Sequence, residues 1–263
     1  MYSFELHKAD SVANAAALLA QSGGKALAGG QSLVAAMKMR LAQPNALVDL
    51  SGIAELKGIR KEGDNLVIGA MTRHAEVAAS KTVKDAILAL AALAEGIGDR
   101  QVRNMGTIGG SLANNDPAAC YPAAVLALGA TIHTNKRKIA ADDFFKGMYE
   151  TALADAELIT SVSFPIPKKA AYMKFVQPAS RFALVGVFVA QGAGGVRVAV
   201  TGAAPSVFRA KPLEDALAKN FSADAAKAVK IDAAGLNSDL HGSPAYRAHL
   251  ISVMASRAVA AAG

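Results

Sequence analysis

Two glycine-centred motifs constrain this chain more than anything else in it. They are Ala28-Gly29-Gly30-Gln31-Ser32-Leu33 and, some 75 residues further on, Thr107-Ile108-Gly109-Gly110-Ser111-Leu112, which runs on into Ala113-Asn114-Asn115-Asp116-Pro117. Each sets adjacent glycines beside a hydroxyl residue at the mouth of an apolar segment. Such a backbone reaches positive φ without strain and lets a bulky anion approach its N–H groups. Taken alone, either motif is equally well explained by a tight loop with ordinary Ser or Thr caps. Together they read as opposite sides of one extended phosphate-bearing ligand, because consecutive free N–H groups cradle a pyrophosphate without a Walker lysine.

The familiar nucleotide fingerprints do not account for them. In Gly192-Ala193-Gly194-Gly195-Val196-Arg197 the third glycine of a GxGxxG is displaced, and the stretch reads as a hairpin. The chain contains no GxxxxGK[ST] loop. Lys and Arg number 28 against 21 Asp and Glu, a net +7, but they are scattered, aromatics make up only 5% and Trp is absent. A nucleic-acid binder concentrates its charge in a stripe with stacking aromatics, so that class is set aside. The single cysteine, Cys120, excludes an intrachain disulfide framework, a CxxC pair and an iron–sulfur cluster held by this chain alone. The five histidines, His7, His74, His133, His241 and His249, show no metal-ligand spacing. No run of about 18 apolar residues and no basic-then-apolar leader is present, so the chain is read as soluble and cytoplasmic, with no integral membrane segment.

At 263 residues and 52% hydrophobic content, two or three compact units are expected. Ser11 caps a helix carrying Val12, Ala15, Ala16 and Leu19, which Gly23-Gly24 ends. A strand over 26–28 delivers the first motif, a helix over 33–41 stops at Pro44, and a strand over 47–50 follows. A second unit begins near Gly58 with a strand over 65–70, a helix over 75–79 capped by Thr72, and a helix over 83–94. After the second motif come a helix over 118–128 and strands over 130–134 and 158–164. Pro165 to Lys169 forms a linker. The third unit has strands over 172–176, 183–190 and 196–201, then helices over 213–218, 223–231 and 243–262, an antiparallel sheet backed by helices.

The chain resembles the medium, FAD-carrying subunit of the molybdenum hydroxylases, the carbon monoxide dehydrogenase and xanthine dehydrogenase family. The resemblance is carried by Ala28 to Leu33, and by Gln101-Val102-Arg103-Asn104-Met105-Gly106 running into the second motif through Ala119. A third signature is Tyr172-Met173-Lys174-Phe175 with Pro178-Ala179-Ser180-Arg181-Phe182-Ala183, and the tail runs from Asp239 to Leu250. It covers essentially the whole chain. It implies an α+β fold in which two α/β subdomains, 1–57 and 58–167, hold FAD between them in the manner of the vanillyl-alcohol-oxidase (PCMH) type. A C-terminal domain over 168–263 would close the flavin site.

The resemblance implies cofactor contacts from Ala28, Gly29, Gly30, Gln31, Ser32 and Leu33 on one side of the pyrophosphate and from Thr107, Gly109, Gly110 and Ser111 on the other. Ile97, Ile159 and Lys174 would lie by the flavin ring. Many relatives read Asp-Pro-Ala-Ala-Asp where this chain has Asp116-Pro117-Ala118-Ala119-Cys120, the last aspartate facing the ribityl hydroxyls. A thiol is a weak partner, so that contact passes to Asp116, Asn115 or water, and Cys120 reads as a half-buried filler. No base-plus-orienter arrangement supports it as a nucleophile. Without the resemblance, Lys174 would be a solvated strand lysine. His74, near the start of a helix in the flavin-binding unit, reads as a cap or surface residue, with contact to the cofactor as the alternative.

By the same resemblance the chain is an oxidoreductase subunit with no catalytic or metal residues of its own. A large subunit would carry molybdopterin and a small one two [2Fe–2S] clusters, in a dimer of heterotrimers, a heterohexamer. A self-sufficient flavin oxidase or reductase and a cofactor-free assembly subunit are the alternatives.

Overall fold

The computed structural model describes residues 1–262. The first unit is a small parallel sheet. It comprises β1 (Glu5–Lys8), α1 (Val12–Ser22), β2 (Lys25–Leu27), α2 (Leu33–Lys38) and β3 (Ala46–Asp49), with β3 central in the order β1-β3-β2. Ser11 accepts from the Asn14 N–H at 3.2 Å, and Gly23, at φ 59°, closes α1 with its N–H on the Leu19 carbonyl. Ala15 and Leu19 then pack on Val48 of β3. The helix expected over 33–41 ends sooner, at Lys38, because Arg40 turns the chain at φ 61°. Strand β1 was not foreseen. Glu-Leu-His-Lys has no apolar alternation, and its conformation comes from parallel pairing with Ala46 to Asp49.

The second unit surrounds a five-stranded antiparallel sheet. Along the chain lie β4 (Ile59–Glu62), β5 (Asn65–Gly69), α3 (His74–Ala79), α4 (Lys81–Glu95), α5 (Arg100–Met105), α6 (Ile108–Asn114) and α7 (Tyr121–Ala127). There follow β6 (Thr131–Thr134), β7 (Lys138–Ala140), α8 (Ala141–Phe144), β8 (Phe145–Gly147), β9 (Glu150–Thr151) and β10 (Ile159–Pro165). The sheet order is β4-β5-β10-β6-β7, while β8 and β9 form a separate hairpin. Two expectations are corrected. Thr72 does not cap α3: its hydroxyl bonds to the backbone of Gly58, and Glu76 reaches back to the Arg73 N–H at 2.7 Å instead. The second glycine motif is not a turn either. Thr107 caps α6 by accepting from the Gly110 N–H at 3.1 Å, and Gly109 and Gly110 lie inside its first turns.

The third unit contains β11 (Lys169–Val176), β12 (Ala183–Gly192), β13 (Gly195–Thr201), β14 (Phe208–Arg209), α9 (Lys211–Lys219), α10 (Ala223–Ala228) and α11 (Pro244–Ala261). Its antiparallel sheet runs β11-β12-β13-β14. Strand β12 is buried on both faces. Val185, Val187 and Val189 meet Leu213, Ile251 and Met254, while Phe188 and Ala190 join the core of the second unit with Tyr121. Side chains alternate across a strand, so one sheet seals two cores. Burial of each such valine contributes about 1.5–3 kcal/mol.

Polar ties fix the sheet to the loop that follows the second motif. The Thr201 hydroxyl lies 2.8 Å from the Pro117 carbonyl and 2.7 Å from that of Ala119, and the Gly202 N–H donates to Pro117 at 2.7 Å. Arg247 is only 2% exposed. Its Nη1 donates to the Leu184 and Gly202 carbonyls, each at 3.0 Å, and its Nη2 to Asp239 at 2.7 Å. Thr201→Val keeps the shape and removes the hydroxyl beside two carbonyls. It is expected to cost about 1–3 kcal/mol in denaturant unfolding, and an unchanged midpoint would refute this tie.

Candidate functional site

The first and second units face each other across a cleft of roughly 950 Å³, with the third unit's β11–β12 loop at one end. Such a volume is near the upper end for a small-molecule site. Ala28, Gly29, Gly30, Gln31, Ser32, Leu33, Ile97, Thr107, Gly109, Gly110, Ser111, Asp116, Cys120, Ile159 and Lys174 all line it. Asn115 is not brought there. At φ 43° it ends α6, is 1% exposed, and donates its amide to the Gly147 and Glu150 carbonyls at 2.8 Å. Its side chain holds the β8–β9 hairpin, so of the protein groups expected to take over from Cys120 only Asp116 is at the cleft.

Glycine is required in the two motifs for different reasons. A Cβ on Gly29 would land on the Met105 carbonyl oxygen and lie 2.7 Å from the Gly106 Cα, so its bareness lets the two motif segments touch. On Gly109 a Cβ would lie 2.6 Å from that of Ala70. Of the four motif glycines only Gly30, at φ 70°, uses the left-handed region. The backbone donors differ as well. The N–H groups of Gly29 to Leu33 make no hydrogen bond among the described residues, a run of open donors in a segment that lines the cleft. In the second motif the donors are occupied: Ile108 bonds Thr72, Gly109 bonds Ala70, and Gly110 and Ser111 bond Thr107. The expectation of free N–H groups therefore fails there. That side offers the Ser111 hydroxyl and a close-packed helix start.

At the other end, Lys174 is only partly exposed and fully engaged. Its Nζ donates to the Gly96 carbonyl at 2.7 Å, the Arg181 carbonyl at 3.1 Å and the Cys120 sulfur at 3.5 Å. One ammonium thus joins the end of α4, the start of α7 and the β11–β12 loop. Cys120 is 6% exposed and packed among Tyr121, Tyr172 and Lys174, so it is an acceptor for the lysine as well as a filler. A thiol accepts weakly, and the Tyr121 and Tyr172 hydroxyls beside it are buried without hydrogen-bond partners among the described residues. Burial, and secondarily the Cys120 sulfur, raises both phenol pKa values.

The cleft is also lined by His74, Tyr149 and Glu157. His74 is 5% exposed, neither a surface residue nor a cap, and burial followed by the Arg103 charge lowers its pKa to about 4. Arg103 itself donates to the Ile97 and Gly98 carbonyls at 2.9 and 3.0 Å and so positions Ile97. Tyr149, at φ 57°, swings its hydroxyl to within 3.3 Å of Asp116. Nothing in the local sequence announces that geometry, because it depends on Asn115 pinning the hairpin. Glu157 lines the cleft with its pKa lowered to about 2, first by its hydrogen bond from Arg137, so its charge is paired. With Lys25, Lys174 and Arg181 set against Asp116, Asp155 and Glu157, the lining is no basic groove. Its capacity for an anion rests on oriented backbone dipoles. Among the described residues, no group of three or more His, Cys, Asp or Glu converges on a metal position, and no helix is long and apolar enough to cross a membrane.

Comparison with known proteins finds relatives over most of the chain. The family described as the FAD binding domain in molybdopterin dehydrogenase matches residues 2–167. The chain is 36% identical over 277 residues to the carbon monoxide dehydrogenase medium chain of Hydrogenophaga pseudoflava, covering 98% of this chain and 96% of that one. It is 36% identical to the nicotine 6-hydroxylase medium subunit of Paenarthrobacter nicotinovorans, covering 84% and 83%. Among solved structures, that of the Hydrogenophaga pseudoflava carbon monoxide dehydrogenase lacking the Mo-pyranopterin moiety of its cofactor superimposes with a TM-score of 0.89 at 36% identity, over 99% and 97% of the two chains.

The buried imidazole has a consequence for stability. With a folded pKa near 4 against 6.5 unfolded, His74 contributes stability that is full above pH 6.5 and is lost as pH falls toward about 4. Over that window the wild type is expected to lose on the order of 3 kcal/mol relative to His74→Gln. Parallel stability curves for the two proteins would show that the ring is not held neutral.

Proposed function

Because the chain belongs to the FAD-binding family of molybdopterin dehydrogenases, we propose that it is the electron-transfer flavoprotein of a molybdenum hydroxylase complex. In this reading it collects electrons from a [2Fe–2S] small subunit and passes them to an external acceptor. A large subunit carries molybdopterin and oxidises the substrate, and the assembly is a dimer of heterotrimers in the cytoplasm. The observation that carries the reading is the convergence on one cleft of both glycine motifs and Lys174, some 140 residues apart in the chain.

The residues present fit FAD. Five open N–H groups, Gly29 to Leu33, would hold the diphosphate through dipoles, with Ser111 and the start of α6 opposite. Asp116 would accept from the ribityl hydroxyls. Ile97 and Ile159 would flank the ring, which supplies reversible electron acceptance when bound. Lys174 would place a positive charge near it, already oriented by two carbonyls and Cys120. No acid or base of this chain is assigned to hydroxylation. The medium chains of enzymes named for carbon monoxide and for nicotine are each 36% identical to this one over the matched residues, which favours substrate choice in another subunit.

The test is purification with and without the partner subunits. A flavin spectrum, co-purifying molybdenum and iron, and no substrate turnover by the isolated chain are expected. Turnover by the isolated chain would favour a self-sufficient oxidase, and a colourless protein that binds no FAD an assembly subunit. Gly110→Val puts a branched side chain between Thr107 and Ala28, where even a Cβ would lie 2.9 Å from the Thr107 hydroxyl. It is expected to weaken FAD binding at least about tenfold, and stoichiometric flavin with unchanged affinity would sink the diphosphate assignment. Lys174→Met is expected to retain FAD and lower its two-electron potential by on the order of 30 mV, about 1.4 kcal/mol. An unchanged potential would remove the lysine from the redox site.

A further inference from the structure

We propose that His74 anchors the cofactor's diphosphate, donating a hydrogen bond from Nε2 of a neutral imidazole at the seam where the two glycine motifs meet. The inference rests on the flavin reading above. It extends that reading to a residue outside both motifs.

The placement of the ring is unusual for a structural histidine. His74 begins α3, its N–H donates to the Gly106 carbonyl at 2.9 Å, and its ring lies directly against Gly106. A Cβ on Gly106 would come within 2.6 Å of Nε2. Gly106 is in turn the residue whose Cα Gly29 approaches, and it precedes Thr107, the cap of α6. The imidazole therefore sits beneath the contact between the two motifs, and it lines the cleft.

Neither ring nitrogen has a hydrogen-bond partner among the described residues, although His74 is 5% exposed. Nδ1 is fully enclosed, and the ring packs against Tyr121 with centroids 5.3 Å apart. An unpaired Nδ1 costs about 1–3 kcal/mol whatever the cleft holds, whereas Nε2, the ring nitrogen that is not fully enclosed, is the one a ligand in the cleft can reach. With Nδ1 enclosed, the tautomer protonated on Nε2 buries only a lone pair and leaves its single donor on the nitrogen that is not fully enclosed, in a residue that lines the cleft. Arg103 on α5 and the desolvation that keeps the ring neutral agree with this arrangement.

The complementary group is a hydrogen-bond acceptor. Beside Gly29 and Thr107, that acceptor is a phosphate oxygen. A neutral donor matches the rest of the cradle, which uses N–H dipoles in place of lysine or arginine charge. The ribityl and ring contacts lie toward Cys120 and Lys174.

The test uses the full chain stripped of flavin, with FAD, ADP and riboflavin as separate probes. His74→Phe fills the space and removes the donor, and is expected to weaken FAD and ADP about tenfold to hundredfold while leaving riboflavin unchanged. His74→Gln restores an N–H and is expected to recover most of the loss. In the wild type, nitrogen-15 chemical shifts of His74 should report Nε2–H with and without ADP, and the Nε2 shift should move on binding. Equal affinity of wild type and His74→Phe for FAD, an equal loss for riboflavin, or a His74 signal indifferent to ADP would each overturn the proposal with the flavin reading intact. A wild-type chain that binds no FAD would instead overturn the flavin reading beneath it.

Discussion

The contact between Gly29 and the Met105–Gly106 backbone is the constraint on which the site depends. It joins the mouth of a small parallel sheet to the connection between two helices of a separate antiparallel unit. Only a residue without a side chain permits that approach, and the cleft is what remains above it. Gly109 repeats the device one layer down, seating α6 against Ala70. Three of the four motif glycines thus serve close packing of main chain or of the cleft wall, and one, Gly30, serves an unusual φ. A site built this way is positioned by main-chain contacts, which are stiffer than contacts between long side chains.

The two ends of the cleft use different physics. At the motif end the N–H groups of Gly29 to Leu33 are open, and among the charged residues of the lining Glu157 is paired with Arg137. Dipoles of this kind hold an anion and need no counter-charge of their own when the site is empty. At the other end stands one ammonium, that of Lys174, tied to three elements. Its tether to the Arg181 carbonyl couples the β11–β12 loop to the site. Thr201 and Gly202 couple the rest of the same sheet to the Pro117 loop. The third unit therefore completes the cleft and is no detachable appendage.

Much of the fold was legible. Helix α1 and its caps, the central strand β3, the long α4, strand β10 and the β11–β13 meander all follow from apolar periodicity and from Ser, Gly and Pro punctuation. Strands β1, β4, β7 and β14 were missed because they are short, polar or at sheet edges, where backbone pairing with a distant partner supplies the conformation. Helix α6 was read as a turn because adjacent glycines argue against helix, and the Thr107 cap with tertiary seating on Ala70 overrides that preference. In the site, the residues expected at the cofactor line the cleft apart from Asn115, and other lining residues carry no signal in the sequence. Tyr149 has no local signature, and Asn115, inside a motif, turned away because a left-handed helix end directed its amide to the hairpin.

The amino-acid sequence by itself determined the family, the three-part order of elements and the two segments that meet at the cleft, since each is written in local spacing and residue type. Only the tertiary structure decided which backbone donors stay open, which histidine is buried and unpaired, and what Lys174 and Cys120 do for each other. Those properties depend on partners tens of residues away, on desolvation and on contacts shorter than a methyl group allows. No local pattern encodes them.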